Sequence, residues 1–240
     1  MRHLVDIHCH ILPGVDDGAD DFKESLELIK EEMSQGVDQI ILTPHFRRGM
    51  FETPMEDIKL QYARLRYLVQ KLNLDVELYL GCEYHTSSQM VEDLLNGRRP
   101  TLNHSPYVLV EFSSQDSYVK IKNQIYDLIA NNFIPIIAHI ERYPDFVKDL
   151  SQVQQCKKLG AYMQITASAV LGKTGWKMKR LCKKLIEAGL VDFIASDAHN
   201  LTNRKPDLEE CASYLEKKMG SDFVYEVFVK NPERIIRGGY

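Results

Sequence analysis

Short apolar runs alternate with stretches of helical periodicity along the whole chain. Strands are predicted at "LVDIH" (4–8), "QIILT" (39–43), "VELYLG" (76–81), "YVLVEF" (107–112), "IPIIAH" (134–139), "YMQIT" (162–166) and "VDFIAS" (191–196). Helices are predicted between them. "FKESLELIKEEMSQG" ends in a glycine cap, and "TPMEDIKLQYARLRYLVQKL" opens on Thr53, Pro54 and Glu56 as a capping box with proline in the first turn. "SYVKIKNQIYDLIANN", "VQQCKKLG", "WKMKRLCKKLIEAG", "EECASYLEKKMG" and "DFVYEVFVKNPERII" continue the alternation. Apolarity this continuous means strands buried on both faces, as in a barrel or a doubly wound sheet. With no linker, repeat or low-complexity tract, the pattern predicts one parallel α/β domain over 1–240.

The polar residues choose between the two architectures. His8 and His10 close the first predicted strand, His45 in "TPHF" the second, Glu83 in "GCEY" the third and Glu111 in "LVEF" the fourth. His139 in "IAHIER" closes the fifth, and Asp197 with His199 in "SDAHN" the seventh. The C-terminal ends of parallel strands converge on one face of a barrel, whereas an open sheet spreads them along an edge. Each residue has an ordinary alternative taken singly. Glu111 would serve to cap a helix or pair with an arginine, His104 reads as a loop residue, and His85 as a follower of its motif. His3 lies at the opposite end of its strand and is excluded.

Taken together, carboxylates and imidazoles crowded at buried strand ends are costly without a cation to compensate them. Nitrogen and oxygen donors without a placed thiolate disfavour a structural zinc site and suit hydrolytic manganese, iron, zinc or magnesium. The donors outnumber the needs of one ion, so two or three divalent ions are expected.

Composition narrows the function classes. The 240 residues are 44% hydrophobic and 27% charged, with a net charge of -4. No overall basic field favours nucleic acid. Neither a secretory leader nor an apolar run of membrane-spanning length stands out, so a cytoplasmic protein without direct membrane insertion is expected. The five cysteines are scattered, which fits reduced thiols. None is followed by arginine six residues on, so the loop of cysteine-dependent phosphatases is missing.

The motifs "DIHCH", "TPH", "GCEY", "VEFS", "AHIERY" and "SDAHN", in this order, resemble the PHP (polymerase and histidinol phosphatase) superfamily. More narrowly, "HCHILPGVDDGADDFKESL", "RRGMFETP", "PTLNHSPYVLVEFS", "IPIIAHIERY" and "IASDAHN" are similar to the CpsB/CapC family, manganese-dependent tyrosine-protein phosphatases of capsular and exopolysaccharide loci. The resemblance runs from Asp6 into "NPERII". It implies a distorted (β/α)7 barrel with a polynuclear metal site, manganese first and iron or zinc as alternatives. His8, His10, Glu83 and Asp197 would hold one ion. Glu83 would bridge to a second held by Glu111 and His139, and Asp17, His45 and His199 would hold a third. In the "VDDG" motif Asp17 is the match in register rather than Asp16. Arg142 and Arg204 match the family's phosphate-contacting arginines. The implied substrate is the phosphotyrosine-bearing tail of a bacterial tyrosine kinase.

The chemistry follows on its own terms. Water between two dications ionises near neutral pH and would attack phosphorus in line. Guanidinium forks match phosphate geometry at any pH, although Arg142 and Arg204 would also suit surface salt bridges. A phenolate, with its pKa near 10, leaves without a strong general acid. The loop "HFRRGMFETP" offers Arg47, Arg48 and Phe51 as substrate contacts; the alternative is that Met50 and Phe51 pack against the rim. Two other readings remain, a phosphoesterase acting on a small molecule of histidinol phosphate type or a nucleic-acid end, and a metal-stabilised interaction protein without activity.

Overall fold

The computed structural model describes residues 3–238; residues 1, 2, 239 and 240 of the predicted 1–240 domain lie outside the described residues. Among the described residues nine strands run β1 Leu4–Cys9, β2 Val37–Leu42, β3 His45–Phe46, β4 Glu77–Leu80, β5 Glu83–His85, β6 Tyr107–Glu111, β7 Ile134–Ile137, β8 Tyr162–Thr166 and β9 Phe193–Ala195. The helices are α1 Phe22–Ser34, α2 Met55–Lys71, α3 Met90–Leu95, α4 Tyr118–Ala130, α5 Pro144–Lys148, α6 Leu150–Lys158, α7 Ala167–Leu171, α8 Trp176–Glu187, α9 Leu208–Met219, α10 Ser221–Tyr225 and α11 Asn231–Ile236. A π-helical turn over Glu226–Lys230 joins the last two.

Every strand ladder is parallel, in the orders β1-β2-β4 and β3-β5-β6-β7-β8-β9. The two sheets are one curled surface with a break. β2 is carried past the break by β3 and β4 by β5, and backbone bonds bridge it from Gly81 N to Leu42 O (2.8 Å) and from Glu83 N to Pro44 O (3.1 Å). The far edges approach as well: Asp197 N donates to His8 O and His10 N to Ala198 O, both at 2.8 Å. Val5, Ile7, Ile41, Leu109, Ile136 and Phe193 form an apolar cluster within the curl. A larger cluster fills the space under the helices. Burial on both faces accounts for the unbroken apolarity of the strands.

Local chemistry sets several element ends. Asp21 caps α1 by accepting from Glu24 N at 2.9 Å, and Gly36 takes the left-handed conformation just beyond its last turn (φ 82°), as the terminal glycine predicts. The capping box predicted for α2 does not form. Pro54 occupies the cap position, and the Thr53 hydroxyl donates instead to Val15 O at 2.7 Å, a tertiary acceptor that competes with the local one. In β1, Ile7 and Cys9 pack in different clusters although residues two apart share a face of a regular strand. The register irregularity between Asp6 and Cys9 separates them.

Candidate metal centre

Strand register brings the first donors together. His45 pairs with Glu83 across β3 and β5, and His85 with Glu111 across β5 and β6. Glu83 lies at the centre, fully buried, its Oε2 3.2 Å from His8 Nε2, 3.3 Å from His10 Nε2 and 2.9 Å from His45 Nδ1. Its other oxygen, Oε1, is 2.9 Å from His139 Nε2. Asp197 Oδ1 stands 3.5 Å from His8 Nε2, and Asp17 Oδ1 is 3.5 Å from both His45 Nε2 and His199 Nε2. All nine predicted donors therefore collect at one end of the curled sheet.

Three sets have donor atoms close enough together to share an ion: His8, His10 and Asp197; His45, Glu83 and Glu111; and His10, Asp17, His45 and His199. Beyond the predicted grouping, His10 also lies with the Asp17 set and His45 with Glu83 and Glu111. His139 Nε2, predicted to join those two carboxylates, is 2.9 Å from Glu83 Oε1 and 3.7 Å from Glu111 Oε1. The donors fit divalent ions. Glu83 Oε2, His45 Nδ1 and His199 Nε2 are buried and make no well-aligned hydrogen bond, although charged neighbours stand 2.9 to 3.5 Å away. Buried polar atoms left without an aligned bond are costly unless a cation completes them.

Other residues hold the donors in place. The Asp16 carboxylate is buried, with Oδ2 2.7 Å from His10 Nδ1 and accepting from His45 N at 2.8 Å. That bond puts the proton of His10 on Nδ1 and leaves Nε2 free to ligate. Asp17 is half exposed and turned to His45 and His199, so adjacent aspartates divide support from donation. Gln164 Oε1 accepts from His139 N at 2.8 Å and lies 3.3 Å from His8 Nδ1. His85 Nδ1 is 2.9 Å from Glu111 Oε2, a supporting role that its position in the motif did not suggest. Two donors bend the backbone into the left-handed region, His139 (φ 35°) and Asp197 (φ 54°), a strained conformation of the sort that accompanies functional sites.

Gly18 completes the "VDDG" turn for a steric reason. A Cβ there would sit 1.9 Å from His10 O and 2.6 Å from its Cβ, a backbone clash that only movement of His10 or the turn relieves. Gly18→Ala is therefore expected to lower bound metal and turnover together, by about 10- to 100-fold as for other losses of support to metal ligands. Unchanged metal content and rate in the folded variant would contradict this placement.

The electrostatics are those of a cation site holding protons in the ions' stead. Burial alone would push His8 down, but Glu83 and Asp197 hold it up at about 9. His45 is likewise raised to about 9, against burial, mainly by Glu83. Burial would raise Glu83 and Asp197, yet the imidazoles beside both and the two arginines beside Asp197 keep them well below the carboxylate range. At pH 7 His8 and His45 of the metal-free site carry protons that bound ions must displace. Manganese titrated into metal-stripped protein is thus expected to release protons, with affinity rising as pH climbs from 6 toward about 9. Calorimetry in buffers of different ionisation enthalpy measures the release, and heats independent of buffer would refute it.

Arg142 and Arg204 flank the cluster. Arg142 Nη2 donates to Asp197 Oδ2 at 2.5 Å, and Arg204 Nη2 reaches both Asp197 oxygens at 2.8 Å. Each remains over a third exposed, so the outer edge of each fork meets the cleft. The Arg204 loop is organised by Asn200, whose Oδ1 accepts from the backbone N–H groups of Thr202, Asn203 and Arg204. Arg47 and Phe51 line the same cleft of about 230 Å³, with Phe51 stacked on His45 at 5.2 Å and 10°. Met50 is 60% exposed rather than packed on the rim. Arg48 does not line the cleft: it pairs with Asp93 at 2.5 Å, which also binds the Tyr84 hydroxyl. All five cysteines are buried; burial raises their thiols, and none lines the cleft.

Comparison with known proteins places this arrangement. The histidinol phosphate phosphatase of Lactococcus lactis, solved with zinc, L-histidinol and phosphate, aligns with a TM-score of 0.60 over 90% of this chain and 94% of that one. At 14% identity that likeness shows the fold alone. A crystal structure from work on YwqE of Bacillus subtilis and CpsB of Streptococcus pneumoniae, described there as unique metal-dependent tyrosine phosphatases, aligns with a TM-score of 0.93 and 32% identity. It covers 99% of this chain and 96% of that one. The tyrosine-protein phosphatase CpsB of Streptococcus pneumoniae is 36% identical over 238 residues, 97% of this chain and 98% of that protein. A family model for capsular polysaccharide synthesis, CpsB/CapC, matches residues 4–237, and on that match and that identity the chain belongs to the CpsB/CapC family.

Proposed function

We propose that this chain is a metal-dependent protein-tyrosine phosphatase of capsular or exopolysaccharide synthesis, working in the cytoplasm on the phosphotyrosine-bearing tail of a partner tyrosine kinase. One observation carries the reading: Glu83, buried among four imidazoles, lines one cleft with the guanidinium groups of Arg142 and Arg204. The activity of the similar phosphatases CpsB and YwqE supports the same conclusion. The fold is read as one distorted (β/α)7 domain, in which β2 with β3 and β4 with β5 each count as a single broken strand. The nine donors would hold two or three ions, manganese first and iron or zinc as alternatives.

Bound divalent ions supply charge for the phosphoryl oxygens and a nucleophile from water at neutral pH. The protein supplies position. Asp16 and Gln164 orient His10 and His8, so that the site is assembled before substrate arrives. Arg142 and Arg204, braced on Asp197, offer the phosphate a fixed donor array that costs no reorganisation during the reaction. The Phe51 ring stacked on His45 gives the cleft an aromatic wall beside the donors, suited to a planar phenyl leaving group. No cysteine is positioned to act as nucleophile, so thiol alkylation should leave turnover intact.

The test compares turnover of a phosphotyrosyl peptide, a phosphoseryl peptide and histidinol phosphate by metal-stripped and manganese-reloaded protein. Manganese-dependent turnover strongest on phosphotyrosine is expected. Preference for histidinol phosphate would instead favour the small-molecule reading, and no turnover of any ester the reading of an inactive, metal-stabilised protein.

A further inference from the structure

The cleft does not end at the arginine pair. A second cavity of about 380 Å³ shares Arg142, Asp197 and Arg204 with the metal cleft and continues on their far side, away from Phe51. Lys173, Lys205, Ser168, Thr174, Thr202 and Asn203 contribute to its lining. Its two carboxylates are buried and engaged: Asp197 with both arginines, and Asp207 with Lys173 at 3.4 Å. The groups left facing the space are cations, hydroxyls and an amide. Lys205 is exposed and makes no ion pair among the described residues. A ligand that seats a phosphate on Arg142 and Arg204 must send part of its chain either along the Phe51 wall or into this cationic compartment.

We infer that this second compartment is a substrate subsite that receives an acidic side chain flanking the phosphotyrosine, with Lys205 as its principal contact. The inference rests on the phosphatase reading above and adds a determinant of peptide choice to it. Lys173 is partly neutralised by Glu210 (2.6 Å) and Asp207, so it sets the local potential, while Lys205 is free to meet an incoming carboxylate. Arg47, on the opposite flank, belongs to the metal cleft and not to this cavity, which makes the two sides separable by mutation.

The experiment measures kcat/KM on phosphotyrosyl peptides carrying Asp, Asn or Lys in turn at each of the three positions on either side. Wild type, Lys205→Ala and Lys205→Glu are compared, with p-nitrophenyl phosphate as the reference ester. At one flanking position wild type should prefer Asp over Asn about fivefold through KM, the size expected of a partly exposed ion pair, and salt should weaken the preference. Lys205→Ala should abolish it and Lys205→Glu should reverse it toward Lys, with turnover of p-nitrophenyl phosphate unchanged in both. Equal rates for Asp and Asn peptides in wild type, or an acidic preference surviving in Lys205→Glu, would overturn the subsite while leaving the phosphatase reading standing. Failure of wild type to turn over any ester with metal present would overturn that reading, and the subsite with it.

Discussion

Glu83→Gln should lose roughly a thousandfold in kcat/KM on a phosphotyrosyl peptide, about 4 kcal/mol of transition-state stabilisation, and should bind fewer ions. The substitution keeps shape and burial while removing the charge that four imidazoles face. The metal-free variant should nonetheless fold. With Glu83 neutral, His8 and His45 can release the protons that this carboxylate holds on them, so no buried charge is left stranded. Circular dichroism and a melting curve on the metal-stripped proteins separate the effects. Wild-type turnover with a full complement of metal would sink the assignment of Glu83 as the central donor. Collapse of the fold would make its role structural.

Arg204→Lys should resemble Arg204→Ala more than wild type, with kcat/KM down by about 30- to 1000-fold, the 2 to 4 kcal/mol expected of a lost charged fork at a transition state. Lysine keeps the charge, and its single ammonium could repeat the contact of Arg204 Nη2 with both Asp197 oxygens, but it has no second N–H edge left to offer the phosphate. Metal content should not fall. A guanidinium does not ligate, it competes with cations for Asp197, and Arg142 still braces that carboxylate in the variant. Both arginines lie on Asp197, so metal stoichiometry must be measured on the kinetic samples. Near-wild-type kinetics for both substitutions would reduce Arg204 to a surface residue. Lost metal would show that it acts by positioning Asp197 rather than by holding phosphate.

What was legible in the sequence was the convergence. An imidazole or carboxylate after an apolar run marks the C-terminal end of a parallel strand, and parallel strands place those ends on one face, so spacing alone makes His8, His45, Glu83, Glu111, His139 and Asp197 candidate donors. The supporting residues were hidden because spacing does not report partners. Asp16 and Asp17 are the same residue side by side, and only the turn fixed by Gly18 points one at His10 Nδ1 and the other at His45 and His199. His85 looked incidental until the pairing of β5 with β6 set it against Glu111. Arg48 looked like a substrate contact, but Asp93, forty-five residues on, claims it. Thr53 illustrates the same limit for local structure, since its distant acceptor at Val15 O outcompetes the helix cap. The break that separates β2 from β3 and β4 from β5 lies at Thr43–Pro44 and Gly81–Cys82, where the strands predicted at 39–43 and 76–81 end; β3 and β5 beyond it are too short to show an apolar run.

The most direct measurement of the central claim is turnover against bound metal on one preparation. Protein stripped of metal is titrated with manganese while kcat/KM on a phosphotyrosyl peptide and ions bound per chain are recorded together. Activity absent from the stripped protein and rising to a plateau at two or three ions per chain is the predicted result. Undiminished turnover in protein shown to be free of metal would contradict it.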